Sequence, residues 1–187
     1  QTRQEATLLS WFQALPDEVF RRRPMLSVHC AGVLLQNGQL EGVEARLRDA
    51  EQWLGEDVDE QPVYVDEEDF QRLPGLVAMY HAGIALIRGD VAGTMEHARR
   101  VIELTREDDH FIHGAAFALL GLASWTSGDL ETAHGMFARG MAYLQKAGFI
   151  ADVIGGALTL SDIRITQGRL REALGNYERG LRLATQP

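Results

Sequence analysis

Trp125-Thr126-Ser127-Gly128-Asp129-Leu130-Glu131-Thr132-Ala133 is the stretch that decides the fold. A long apolar-periodic run ends at a glycine, an acid follows, and a second amphipathic run begins at once. Glycine ends a helix because the left-handed conformation needed there is cheap only without a Cβ. Aspartate suits the next position, where a carboxylate meets unpaired backbone donors and the positive end of a helix dipole. So short a connection forces the two helices antiparallel. The same phrase, glycine then a polar and an aliphatic residue, recurs at Gly38-Gln39-Leu40, Gly89-Asp90-Val91 and Gly168-Arg169-Leu170. The intervals between the glycines are 51, 39 and 40 residues, so the unit is near 40 and the first interval carries an insertion. Repetition at such a period is the mark of a solenoid.

Side-chain size follows the same register. Five residues beyond each glycine stand Val43, Thr94, Ala133 and Ala173, small enough for two helices to approach closely. Nine beyond stand Leu47, Ala98, Phe137 and Tyr177, expected to pack on the partner helix. Working outward, helices are predicted near 4–15, 24–37, 40–54, 70–88, 91–106, 109–127, 130–147, 150–167 and 170–184. A helical turn opens at Pro16-Asp17-Glu18, and Pro74 unsettles the start of the 70–88 segment, since proline fits only a first turn. No segment alternates with a two-residue period, so no sheet is predicted. The fold expected is all-α, a right-handed α-solenoid of antiparallel helix pairs occupying residues 1–187 as a single domain.

Composition narrows the function. The 187 residues carry a net charge of −9, which argues against direct contact with nucleic acid. Eight of the acids lie between Glu56 and Asp69 with no Lys or Arg among them, so the acidity belongs mostly to one connection, a loop expected over 55–69. It reads either as a solvated loop or as a docking strip for a basic partner. One cysteine, Cys30, excludes an internal disulfide framework and fits a reducing, cytoplasmic setting. No apolar run is long enough to span a bilayer, so no membrane contact is expected. The start at Gln1, without initiator Met or leader, suggests no signal peptide and a segment of something longer.

The glycine-turn-small pattern, with an aromatic nine residues on in the last two units, resembles the tetratricopeptide repeat, here lengthened to about 40 residues. The opening Thr7-Leu8-Leu9-Ser10-Trp11-Phe12-Gln13-Ala14-Leu15-Pro16-Asp17-Glu18-Val19, then Arg23-Pro24 and an aliphatic helix, is similar to the entry into the superhelical domain of MalT-like activators, the large ATP-dependent LuxR-family regulators. Leu120-Gly121-Leu122-Ala123 and Gly168-Arg169-Leu170-Arg171-Glu172-Ala173 extend the likeness over nearly the whole chain. The resemblance implies a domain that receives an inducer or an inhibitory partner, between an ATPase module and a helix-turn-helix. Neither flanking signature is present, since no Gly-x-x-x-x-Gly-Lys-Ser/Thr loop occurs. The 55–69 connection is longer and more acidic than the family's usual one.

Candidates for chemistry are few. His110 and His113 share a helix face behind Asp108 and Asp109, which suggests either a metal site or a capped helix start; the cap explains it better, because a closed site needs three or four ligands. His29, His81, His97 and His134 lie on different helices without His-Glu-x-x-His spacing. Cys30 sits among aliphatics and reads as buried and inert. Arg88-Gly89-Asp90 is the repeat turn itself, and Gly155-Gly156 reads as close helix packing. No catalytic, metal or cofactor site is therefore expected, and the chain is expected not to be an enzyme.

What remains is the inner wall, which in tetratricopeptide-like stacks is lined by the first helix of each pair. Carried over, that phase puts inward the residues three (Leu35, Leu86, Trp125, Ile165), six (Gly32, Gly83, Leu122, Asp162) and ten (Val28, Met79, Ala118, Leu158) before each glycine. Trp125 and Asp162 stand out, with Leu122, Met79, Leu86 and Ile165 beside them as candidate ligand-binding residues, although aromatics at helical spacing are also ordinary core. The expected partner is a small-molecule effector or a protein regulator; the rival reading is a free-standing tetratricopeptide adaptor unrelated to transcription. Self-association is expected through the terminal helices, which present Leu8, Leu9, Trp11 and Phe12 at one end and Leu174, Tyr177, Leu181 and Leu183 at the other.

Overall fold

The computed structural model describes residues 2–55 and 62–185, and of residues 2–6 the backbone alone. Every regular element among them is helical. In chain order these are α1 (Thr2–Ala14), α2 (Asp17–Arg21), α3 (Pro24–Gln36), α4 (Leu40–Glu51) with a 3-10 turn at Gln52–Leu54, α5 (Glu67–Phe70), α6 (Leu73–Ile87), α7 (Val91–Leu104), α8 (His110–Thr126), α9 (Leu130–Lys146), α10 (Ile150–Thr166) and α11 (Leu170–Ala184). Neighbouring helices pack in antiparallel pairs, an all-α tetratricopeptide-like architecture. The chain gathers into two compact units, residues 1–80 and 81–187, with the boundary inside α6.

The turn chemistry is as the sequence dictates. Gly38, Gly89, Gly128 and Gly168 have φ of 71°, 74°, 87° and 74°, the left-handed region. Each is closed by the same pair of bonds: Gly128 donates to the Trp125 carbonyl and Asp129 to that of Ser124, both at 3.0 Å, capturing carbonyls that the helix end leaves open. A fifth such turn, at Gly148 (φ 83°), joins α9 to α10 and was not among the expected ones. Gly128, Gly148 and Gly168 thus fall 20 residues apart, so one turn design serves both within and between pairs. The Asp90 and Asp129 side chains accept from Gly93 and Thr132 N–H at 2.9 and 3.1 Å, and Asp109 accepts from Ile112 at 3.2 Å. Gln39 and Arg169 occupy the same position without a side-chain cap.

In the first unit, α3 and α4 close on Val28, Ala31, Val43, Leu47 and Ala50, all fully buried. Arg46 of α4 lies over the Phe20 ring, 4.3 Å from its centroid, and pairs with Asp17 at 2.6 Å and Asp49 at 3.1 Å. Trp53 and Gln52 both donate to the Arg21 carbonyl, at 2.8 and 2.7 Å, which ties the 3-10 turn to α2. The helix expected over 40–54 therefore changes pitch at Gln52.

The acidic connection is only partly a loop. Glu56, Asp57, Asp59 and Glu60 lie outside the described residues. Asp66, however, caps α5 by accepting from Glu68 N–H at 3.0 Å, and Glu67, Glu68 and Asp69 form its first turn. Carboxylates concentrated at a helix start meet the positive end of the dipole, which favours a helical turn here, and Asp66, Glu67 and Glu68 stay exposed on it. The helix expected over 70–88 is accordingly split. It restarts at Leu73 with Pro74 in the first turn, where the missing N–H has no intrahelical partner to lose.

In the second unit, α8 and α9 approach most closely. A Cβ placed on Gly121 would stand 2.7 Å from the Phe137 amide nitrogen, and one on Gly140 2.7 Å from both the Ala118 nitrogen and the Gly114 carbonyl. Ala133 is fully buried at this crossing and Ala173 nearly so between α10 and α11. Gly156 packs on Met141 as expected, whereas Gly155 faces open space. Tyr177, expected to pack on the partner helix, is 38 % exposed. Its ring keeps the hydroxyl at the surface, where it reaches the Asp162 carboxylate at 3.4 Å.

Candidate functional site

The face proposed for the inner wall opens along the chain. Ten before the glycine, Val28 is fully buried, Met79 is 6 % exposed, Ala118 is half-buried and Leu158 is 55 % exposed. Six before, Gly32 lies beneath the Tyr80 ring, Gly83 and Leu122 are half-buried and Asp162 is exposed. Three before, Leu35, Leu86 and Trp125 are half-buried and Ile165 is 45 % exposed. In the second unit, Ala118, Leu122 and Trp125 of α8 lean on the core formed by Ala133, Phe137, Met141, Leu144, Val153, Leu160 and Ile163. The Trp125 ring is thus part core and part surface. Asp162 and Ile165 lie about one turn apart on α10, with Leu158 one turn before them. Met79 belongs to the first unit and is nearly all buried. Leu86 remains on α6, away from the α10 group in sequence and element.

The face of α10 continues onto α11 through the Tyr177–Asp162 contact. Leu170, Leu174 and Leu181 on α11 are each more than half exposed, and Trp11 on α1 is 64 % exposed. Phe12, by contrast, meets the Phe20 ring edge-on at 6.3 Å.

The histidines sort by environment. His113 is buried, and its Nδ1 lies 3.2 Å from the Asp109 carbonyl, so that nitrogen donates. His110 and His113 both lie against the Tyr143 ring, at 5.8 and 5.6 Å. Asp109 spends its side chain on the helix cap and Asp108 faces Arg106. Among the described residues no group of three or more His, Cys, Asp or Glu is placed to hold a metal ion. Cys30 is buried, and burial pushes its thiol up to about 11 against a weaker opposing pull from Arg46, so the nucleophilic thiolate is scarce at neutral pH. No helix among the described residues is long and apolar enough to cross a membrane.

Two arrangements escaped the sequence reading. His81 and His97 stack at 5.3 Å although they stand on α6 and α7. More substantial is a charge network joining α9, α10 and α11. Arg164, only 8 % exposed, donates through Nη1 to Gln167 at 2.7 Å and through Nη2 to His134 Nδ1 at 3.1 Å. It also faces Glu172 at 3.2 Å and Glu131 at 3.7 Å. Arg169 completes the ring, 2.6 Å from Glu172 and 2.9 Å from Glu131. The Arg169 hydrogen bond holds the Glu172 carboxyl below its ordinary range. Burial, then the Arg164 charge, lowers the His134 pKa against the opposing pull of Glu131 and Glu172. A sequence signal existed. Four residues before the turn glycines 38, 89, 128 and 168 stand Leu34, Ala85, Ser124 and Arg164, all buried, and an arginine in that slot is the anomaly.

A family model described as the MalT-like TPR region matches residues 75–187. Comparison with curated proteins returned no match, and comparison with solved structures returned none either. The matched residues comprise α7 to α11 and most of α6, with the turn glycines 89, 128 and 168, the capping aspartates and the small residues at the helix crossings. With more than half of its length matched, the chain belongs to the family of MalT-like tetratricopeptide-repeat regions.

Proposed function

We propose that this chain is the effector-sensing or protein-interaction module of a MalT-like, LuxR-family transcriptional regulator, cytoplasmic and non-catalytic. The observation that carries the reading is the family match over residues 75–187, taken with a row on α10 (Leu158, Asp162, Ile165) that folding leaves uncovered. Apolar side chains around one carboxylate suit a ligand with an apolar body and a hydrogen-bond donor or a positive charge. Trp125 and Leu122, half-buried on α8, supply the firm apolar wall that such a ligand packs against. Cofactor and nucleic-acid contacts are assigned to other modules of the regulator.

The test is a transcriptional reporter driven by the complete gene product. Asp162→Asn and Trp125→Ala are expected to alter the response to inducer while helical content by circular dichroism stays that of the wild type. An unaltered dose–response in both variants would remove these residues from the site. The exposed α11 stripe favours a protein over a small molecule as occupant, and self-association through it belongs to the same proposal. Light scattering over a concentration series checks the latter. The complete reading frame separates the adaptor reading, which has neither a phosphate-binding loop nor a helix-turn-helix in the same polypeptide.

A further inference from the structure

We propose that His134 and Arg164 form a proton-sensitive latch that holds α9, α10 and α11 together while His134 is neutral and loosens α11 when it takes up a proton. The geometry dictates the protonation state. A guanidinium has only donors, so the His134 Nδ1 that lies 3.1 Å from Arg164 Nη2 must accept, and the ring proton sits on Nε2. Protonating Nδ1 turns that acceptor into a donor facing a donor and sets two cations side by side.

The surroundings couple this event to α11. Glu172, in the first turn of α11, is shared between Arg164 and Arg169, so a displaced Arg164 loosens one of the contacts that seat the helix. The charged groups facing His134 are Glu131 on its own helix, Arg164 on α10, Arg169 in the turn and Glu172 on α11. Helix α8 carries no Asp, Glu, Lys or Arg, and its two histidines lie against Tyr143. Burial and Arg164 favour the neutral ring and the two carboxylates oppose them less strongly, so the folded His134 pKa is lowered. A lowered histidine pKa means that the unfolded chain binds the proton first. Stability is therefore full above about 6.5 and is lost as pH falls through the folded value.

Nitrogen-detected NMR of the imidazoles, with amide hydrogen exchange across residues 170–184, tests the latch on the whole chain. The expected result is a neutral, Nε2-protonated His134 at pH 7.5 that titrates below about 6.5. Protection of α11 should fall several-fold with the same midpoint while α8 remains protected. In His134→Gln the amide oxygen accepts from Arg164 and does not titrate, so the midpoint in α11 protection should vanish. A His134 midpoint at or above that of a free imidazole overturns the proposal, as does α11 protection that follows the same pH profile in wild type and His134→Gln. Should the variant fold poorly, the wild type alone decides, because the ring and α11 midpoints must coincide.

Discussion

Gly140 and Gly135 lie five residues apart on α9 and should respond oppositely to the same substitution. At Gly135 a Cβ meets nothing within 4 Å, so Gly135→Ala adds only helix propensity and should stabilise by about 0.5–1 kcal/mol. At Gly140 the same atom would stand 2.7 Å from the Ala118 nitrogen and the Gly114 carbonyl and 3.2 Å from the Ala118 Cα. Comfortable carbon contacts begin near 3.5 Å, so α8 and α9 would have to part by close to an ångström. All three obstacles are backbone, and none turns aside by a rotamer change. Overpacking of this kind costs about 1–3 kcal/mol, and the rigidity of the obstacle argues for the upper end. Set against the propensity gain, Gly140→Ala should destabilise by about 2 kcal/mol. The two variants then differ by about 3 kcal/mol, or about 6–12 °C in Tm for a chain of this size. Calorimetry or urea denaturation of both proteins measures the difference. If Gly140→Ala were as stable as Gly135→Ala, α8 and α9 would not cross at Gly114, Ala118 and Gly140, and the repeat register would fall with them.

Three further outcomes are expected. Ala133→Phe forces a ring into a fully buried site at the α8/α9 crossing and should cost about 1–3 kcal/mol; an unchanged melting temperature would contradict the crossing. Asp129→Ala removes the cap on α9 and should cost about 1 kcal/mol, whereas Gln39→Ala, at a position with no side-chain cap, should cost less in the same thermal melts. Cys30 should resist alkylation in the native protein and react readily in denaturant; for the native protein, raising the pH toward 11 should increase the thiolate fraction, and rapid native labelling at pH 7 would contradict its burial.

The fold was legible because its punctuation is local. A glycine in the left-handed region, an aspartate that caps and a small residue five places on each report a requirement of a few neighbouring backbone atoms, and those requirements survive whatever packs outside. Gly148 escaped because Ala147-Gly148-Phe149 lacks the polar residue that follows the glycine in the other four turns. Its left-handed φ is nevertheless the same, and Phe149 takes over the cap position without a side-chain bond. The end of α4 was misjudged for a different reason. Gln52 and Trp53 bond to the Arg21 carbonyl 31 and 32 residues away, and no local pattern encodes a tertiary contact of that range.

The site was less legible because exposure, which decides what a ligand meets, is a property of neighbours and not of the helix that carries a residue. Val28, Met79, Ala118 and Leu158 share one repeat position, ten before the turn glycine, yet their exposures run from none to more than half. Periodicity fixes the direction of a side chain and leaves open what lies in front of it. The Arg164 network shows the converse. There the informative feature is a violation of the repeat, a charge in a slot that three other units fill with Leu, Ala and Ser. A buried arginine persists only where partners compensate its lost hydration, so the violation demands a cluster of acceptors around it, and Glu131, His134, Gln167 and Glu172 are what the fold brings there. In a repeat protein whose consensus positions report packing, the departures from consensus are where chemistry peculiar to one chain is to be sought.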